Sequence, residues 1–133
     1  MEKKKIVIIE PEIVLLESLT ALFKNTNEFE IVGFEEVDKA LKYIFNNEVD
    51  LIFTETWIPV PDSWDHLGLT HMMQTGRAFL KMLEENKIDL PIVFFTTHDE
   101  EGKSLSKLSG KYAHVAKPSH FEESYRLVKR LIK

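Results

Sequence analysis

Apolar residues along the chain fall into short runs that alternate with longer amphipathic segments. The runs are rich in Ile, Val, Leu and Phe and show no clean polar alternation, which is typical of strands buried on both faces of a parallel sheet. The second run is weaker than the others. The runs cover 5–9, 29–34, 49–54, 90–96 and 112–116. The pattern therefore predicts a sheet of five parallel strands.

Between and after these runs, apolar residues recur at helical spacing. The predicted helices cover 12–24, 38–46, 76–85, 99–109 and 120–132. The fourth is the poorest, because Gly102 lies inside it and only Leu105 and Leu108 are apolar. Strands that alternate with helices predict an α/β domain whose sheet has helices on both faces.

Three of the predicted helices carry candidate N-terminal caps. Asp38 and Thr75 have side chains that can accept a hydrogen bond from the first helical turn. Ser119 and Glu122 match the spacing of a capping box. These positions predict where the second, third and fifth helices begin.

The segment 60–74, VPDSWDHLGLTHMMQ, interrupts the alternation between the third strand and the third helix. It is far longer than the roughly 2–6 residues usual for such a loop. Trp57, Trp64, Met72 and Met73 lie in or beside it. They predict either an exposed apolar surface for a protein partner or a lid folded back over the edge of the sheet, and both alternatives stay open. As a surface loop, the segment should be replaceable by a short one without loss of the fold.

The same segment contains residue types that bind zinc, namely Asp62, Asp65, His66 and His71. Their spacing matches no zinc motif, and the chain has no cysteine. We therefore expect no metal site in this segment.

Composition narrows the function classes. A chain of 133 residues with 44% hydrophobic residues suits one domain with a real core. A net charge of −5 argues against nucleic-acid binding, which needs a basic face. The absence of cysteine excludes disulfides and thiolate chemistry. No apolar run approaches the ~20 residues of a membrane span, and the N-terminal run IVII is too short for a signal peptide. We expect a cytoplasmic protein that binds neither nucleic acid nor membrane.

Chemistry-bearing side chains follow the predicted strands at the points where the strands end. Glu10 and Glu12 follow the first, Glu55 the third, Thr96 ends the fourth, and Lys117 follows the fifth. In an open α/β sheet, functional groups gather at the carboxyl ends of the strands. The sequence therefore predicts that acids, a hydroxyl and a lysine converge at one edge. It contains no glycine-rich phosphate loop and no nucleophile elbow, so an enzyme or small-molecule binder is the remote alternative.

Four segments in order, IVIIEPE, DLIFTETWIP, LPIVFFTT and HVAKPSHFEE, resemble the strand ends of response-regulator receiver domains of the chemotaxis-regulator type. The resemblance spans the whole length except 60–74. It implies a flavodoxin-like (βα)5 domain over 1–133, with a parallel sheet of order 2-1-3-4-5 and an inserted loop at about 60–74. It also implies a role in two-component signalling or a phosphorelay.

The resemblance implies a role for each matching residue. Receivers accept a phosphoryl group from a histidine kinase at the position of Glu55. They hold Mg²⁺ with two acids at the positions of Glu10 and Pro11. The Thr96 and Lys117 positions contact the phosphoryl group, and His114 stands where many receivers carry a switch aromatic.

Two of these positions depart from the family pattern. Glutamate in place of aspartate moves the carboxylate by about 1.5 Å, which disturbs in-line transfer. Pro11 supplies no carboxylate, so Mg²⁺ would depend on Glu10, Glu12 and Glu55. We expect an atypical, stand-alone receiver that is not an enzyme, needs neither phosphorylation nor a cofactor, and pairs Glu55 with Lys117. The alternative is a phosphorylatable or Mg²⁺-dependent receiver that uses the same three glutamates.

The expected partners are signalling proteins, either a histidine kinase or an output protein. In related receivers the fourth helix, fifth strand and fifth helix form a dimer face. The acids of 99–101 and the basic residues Arg126, Lys129 and Arg130 lie on these elements and predict a weak homodimer or docking face.

Overall fold

The computed structural model describes residues 2–132, which form one parallel sheet of five strands. The strands are β1 (Lys4–Ile9), β2 (Phe29–Phe34), β3 (Leu51–Thr54), β4 (Ile92–Thr96) and β5 (Tyr112–Ala116). Their order in the sheet is β2-β1-β3-β4-β5, and every neighbouring pair is parallel. The predicted fold and strand order are confirmed, although β3 and β4 begin at Leu51 and Ile92, later than predicted.

Five α-helices cover the two faces of this sheet. They are α1 (Ile13–Asn25), α2 (Val37–Asn46), α3 (Thr75–Glu85), α4 (Asp99–Ser106) and α5 (Phe121–Leu131). Helices α1 and α5 pack on one face, and α2, α3 and α4 pack on the other. Within residues 2–132, no helix has the length and apolar character needed to cross a membrane.

The central strands supply the core on both faces because their side chains alternate between them. In β1, Ile6 and Ile8 face α1 and α5, whereas Val7 and Ile9 face α2 and α3; all four are fully buried. This burial on both sides explains why the strand sequences read as continuous apolar runs.

All three predicted caps are wrong. Helix α2 begins one residue before Asp38, whose carboxylate accepts hydrogen bonds from Ser63 Oγ and from the backbone N–H of Lys39. Thr75 is the first residue of α3 and donates its hydroxyl to the Ile58 carbonyl at 2.6 Å. His120, rather than Ser119, precedes the first residue of α5, and the buried Ser119 hydroxyl has no partner. Tertiary contacts hold the side chains of Asp38 and Thr75, and the chain enters α5 through His120 instead of Ser119.

The 60–74 segment is ordered around two short 3-10 turns, Asp62–Leu67 and Met72–Gln74. Trp64 lies on the first turn and is only 4% exposed, because its ring packs into the apolar cluster under α2 and α3. The prediction that Trp64 belongs to a partner surface is therefore wrong. Met72 and Met73, on the second turn, are 42% and 43% exposed.

Candidate functional site

Backbone hydrogen bonds beyond the strand ends place three charged residues at one edge of the sheet. The Glu10 N–H donates to the Phe34 carbonyl, and the Glu55 N–H donates to the Ile9 carbonyl. The Lys117 N–H donates to the Thr96 carbonyl at 3.0 Å. Each residue thereby continues the ladder of its neighbouring strand, and the three side chains converge.

Lys117 bridges the two buried carboxylates. Its Nζ lies 2.8 Å from Glu55 Oε1, to which it donates a hydrogen bond, and 2.7 Å from Glu10 Oε1, an ion-pair contact. Glu10 is 2% exposed and Glu55 is 7% exposed. Charged groups so far from solvent require partners of opposite charge. Here the two carboxylates share the Lys117 ammonium group.

The second oxygen of Glu55 is also occupied. Glu55 Oε2 accepts hydrogen bonds from the backbone N–H groups of Thr56 at 2.6 Å and Trp57 at 3.2 Å. The carboxylate therefore turns back onto its own loop while its first oxygen contacts Lys117. Each oxygen has a defined donor, which holds the ionised side chain in one orientation.

These contacts shift the pKa values of the three groups. Burial raises the pKa of Glu55, but the hydrogen bonds it accepts, above all from Lys117, outweigh burial and lower it overall. Burial raises the pKa of Glu10, and the nearby ammonium group only partly offsets it. Burial lowers the pKa of Lys117, but its two carboxylate partners raise it above the usual value. The lysine is therefore a fixed cation at neutral pH.

Thr96 lies fully buried beside this cluster. Its Oγ1 accepts hydrogen bonds from the Thr56 hydroxyl and from the His98 N–H, both at 3.1 Å. Thr56 also approaches Glu55 Oε2 at 3.3 Å. A short polar chain therefore links Glu55 to Thr96. Thr56 is not among the residues predicted from the sequence, although its position directly after Glu55 is a signal for it.

Trp57 joins the loops that follow β3 and β4. Its ring stacks on His98 with centroids 3.4 Å apart, and the His71 ring lies nearly perpendicular to it with centroids 5.2 Å apart. The half-buried Trp57 thus packs against the site, as a lid would. Met72 and Met73 stay exposed, as a partner surface requires. His98 was not singled out from the sequence, because nothing local marks it as a stacking partner.

Solved receiver domains of response regulators have this same architecture. The response regulator TrrA from Thermotoga maritima, in complex with Mg²⁺-BeF, is 23% identical, with a TM-score of 0.74 over 96% of this chain and 98% of that one. The receiver domain of Francisella response regulator 1452 is 20% identical, with a TM-score of 0.75 over 98% and 97%. The chemotaxis response regulator CheY4 of Vibrio cholerae is 17% identical, with a TM-score of 0.72 over 98% and 99%.

The chain has the receiver-domain fold. No protein-family model matches its sequence, and no curated protein matches it either. The likeness to the solved receiver domains is therefore one of fold, at sequence identities of 17–23%.

The donor set at the edge of this receiver fold does not fit Mg²⁺. The ion prefers near-octahedral coordination by oxygen atoms. Pro11 has no side-chain oxygen, and Glu12 is exposed, with its N–H directed to Glu10 Oε2 at 3.1 Å. The Lys117 ammonium group already contacts the near oxygens of both buried glutamates. Within residues 2–132, no three His, Asp or Glu side chains, including those of 62–71, gather as metal ligands would.

His114, on β5, is held beneath α4. A Cβ added to Gly102 would lie 2.3 Å from His114 Cδ2, so the helix passes directly over the imidazole. Burial lowers the pKa of His114, against the opposing effect of Asp99, whose Oδ1 is 3.6 Å from Nε2. The imidazole is therefore packed between β5 and α4.

The predicted dimer face carries charges that are partly used within the chain. Arg126 and Arg130 are exposed on α5, and neither forms an ion pair within residues 2–132. Glu101, however, pairs with Arg77 of α3 at 2.9 Å. Lys129 pairs with Glu28 at 2.5 Å. These intrachain pairs reduce the charge available to a second copy.

Proposed function

We propose that this chain is an atypical receiver module of two-component-type signalling that acts through protein contacts and needs no phosphorylation. The observation that carries the proposal is the position of the Lys117 ammonium group between Glu10 and Glu55. In this arrangement Lys117 pairs with the Glu55 carboxylate, which is ionised in the folded protein without an added phosphoryl group. The receiver fold supports the signalling class, and the charged cluster supports the independence from phosphate.

The state of Glu55 argues against phosphoryl transfer. A carboxylate that attacks phosphorus needs a free oxygen in line with the leaving group. Both oxygens of Glu55 have donors, and the longer side chain already extends to Lys117. A metal that would offset the charge of an incoming phosphate has no adequate set of ligands here. The same cluster that stabilises the carboxylate therefore keeps it from acting as a nucleophile.

The remaining parts of the proposal follow from this role. We infer that the chain is not an enzyme, carries no cofactor and works in the cytoplasm. Its partner is a signalling protein, either a histidine kinase or an output protein. The net charge of −5 disfavours nucleic acid as a partner.

Calorimetric titration with Mg²⁺ and beryllofluoride tests the proposal. The native protein should show no saturable heat at millimolar concentrations. The double variant Glu55→Asp with Pro11→Asp should bind, because it restores two short acids at the edge of the sheet. A matched control, Glu55→Asp with Pro61→Asp, makes the same chemical changes but puts the second acid in the insert, and it should not bind.

Labelling with acetyl phosphate addresses the alternative receiver directly. We expect no acyl phosphate on the native protein, by intact mass, and a modification on the Glu55→Asp, Pro11→Asp variant. Tight Mg²⁺ binding by the native protein, or a stable phosphoryl group at Glu55, would overturn the proposal.

We also propose that the surface of α4, β5 and α5 forms a weak homodimer or docking face through Arg126 and Arg130. Sedimentation at two protein concentrations should show a concentration-dependent mass that Arg130→Glu removes. A strict monomer whose Arg130→Glu variant keeps its native partners would refute this part alone.

A further inference from the structure

An open groove lies between the 60–74 segment and α3, away from the charged cluster. Its lining includes the apolar side chains of Leu67, Leu69, Met73 and Ala78. Leu67 is 38% exposed, and Met73 is 43% exposed. Apolar side chains that share one groove and remain accessible are typical of surfaces that bind other proteins.

Two basic residues of α3, Arg77 and Lys81, line this groove. Arg77 is tied to Glu101 and Ser104 of α4, each at 2.9 Å, whereas Lys81 is exposed. Two cations and one acid give the groove a positive balance on a chain whose net charge is −5. This local charge selects for acidic groups on whatever binds there.

We propose that this groove docks an amphipathic helix of a partner protein, with apolar side chains on the floor and carboxylates facing Arg77 and Lys81. A methionine suits such a site because its unbranched side chain adapts to different surfaces. The inference rests on the proposed function, since it names the surface through which a protein-contact module engages its partner.

The groove is joined to the charged cluster by a chain of direct contacts. His71 Nδ1 accepts a hydrogen bond from the Met73 N–H at 3.0 Å, which fixes the turn that carries the methionine. The His71 ring packs against the Trp57 ring, and the Trp57 backbone N–H donates to Glu55 Oε2. The carboxylate of Glu55 therefore helps to hold the wall of the groove. These contacts order the 60–74 segment against the edge of the sheet that carries Glu55, which gives a structural reason for the length of the segment.

A pair of labelled peptides tests the chemistry of the occupant. Both are helical, about 16 residues long, with Leu at positions i, i+3, i+4 and i+7, and they differ only in flanking Glu or Lys residues. Fluorescence anisotropy should give the Glu peptide a dissociation constant on the order of 10–100 µM. The Lys peptide should bind about tenfold more weakly. Equal binding of the two peptides, or no binding of the Glu peptide, would overturn the proposal.

Substitutions in the groove test the location. Met73→Asp should weaken the Glu peptide at least about tenfold, whereas Val14→Asp, on the exposed surface of α1, should not. Lys81→Glu should reverse the preference toward the Lys peptide, and Lys42→Glu, which changes the net charge equally, should leave it unchanged. Binding that survives Met73→Asp and Lys81→Glu would place the peptide elsewhere and refute the assignment.

Two further outcomes separate this inference from its alternatives. Self-association that Met73→Asp abolishes, without peptide binding, would assign the groove to a second copy and overturn the proposal. The peptide titrations use neither Mg²⁺ nor a phosphate donor. Phosphorylation of Glu55 with normal peptide binding would thus refute the proposed function alone, and absent peptide binding on an unphosphorylated protein would refute the groove alone.

Discussion

Lys117 Nζ lies 2.8 Å from Glu55 Oε1, although the two residues are 62 positions apart and follow different strands. Glu10, after a third strand, contacts the same ammonium group. Two carboxylates and one cation leave the cluster with a single net negative charge inside a nearly closed site. The free energy of unfolding of the domain should therefore depend on this cluster more than on any surface ion pair.

Replacing Lys117 with methionine should cost about 3–5 kcal/mol of unfolding free energy at neutral pH, because it leaves two buried carboxylates without a cation. Urea denaturation measures the loss. Lys111→Met is the matched control, because that lysine pairs with Asp89 on the surface, where the two side chains are 53% and 76% exposed. It should cost at most about 1 kcal/mol. Equal losses for the two variants would contradict the importance of the buried cluster.

Glu10 should make the free energy of unfolding depend on pH in the range above its ordinary pKa of 4.5. Burial raises the pKa of Glu10 above the ordinary 4.5, so the folded state binds this proton more tightly than the unfolded state. Its contribution is full below pH 4.5 and is lost as the pH rises through the folded-state value. Compared with Glu10→Gln, the native protein should gain stability as the pH falls from neutral toward 4.5. Urea titrations across this range check the direction.

Glu55 should show the opposite behaviour in a different range. The lowered pKa of Glu55 means that its contribution is present above pH 4.5 and is lost as the pH falls through the folded-state value. Compared with Glu55→Gln, the native protein should lose stability only on acidification below 4.5. The same sign for both variants would show that the two carboxylates are not held as the geometry indicates.

Gly102→Ala should destabilise the domain, even though alanine is favoured over glycine by up to about 1 kcal/mol inside a helix. The new methyl group would meet the His114 ring at 2.3 Å, so the ring or α4 would have to shift. In a His114→Ala background the same substitution should become neutral or stabilising, because the obstructing ring is gone. Thermal unfolding of the four proteins of this cycle gives the coupling, and its absence would disprove the close contact.

Trp64→Ala should cost about 3–5 kcal/mol, because it removes a large ring from the core under α2 and α3. Met72→Ala, on the exposed second turn of the same segment, should stay within about 0.5 kcal/mol. Chemical denaturation distinguishes the two. The expectation that a short loop could replace residues 60–74 assumes a surface segment, and the burial of Trp64 does not agree with that assumption.

The sheet could be predicted from the sequence because burial on both faces leaves a direct mark on composition. The edge of the sheet could be predicted too, since parallel strands bring their carboxyl ends together whatever the loops do. The sequence therefore predicts that Glu10, Glu55, Thr96 and Lys117 are neighbours, and the structure brings them together.

Features that depend on contacts between distant segments could not be predicted from the sequence in this way. Thr75 looks like a cap, but its hydroxyl binds the Ile58 carbonyl at the base of the insert. Trp64 lies in a segment without periodicity, so the pattern could not show which face of it is buried. The stack of Trp57 on His98 joins two loops whose relative position only the folded chain defines.

The bridge between Glu55 and Lys117 has a consequence for timing. An acyl phosphate decays by hydrolysis and so gives a signal a limited lifetime, whereas a carboxylate encoded in the chain lasts as long as the polypeptide does. In the proposed role, the strength of the signal is then set by the balance of synthesis and degradation. Its duration is that of the protein itself.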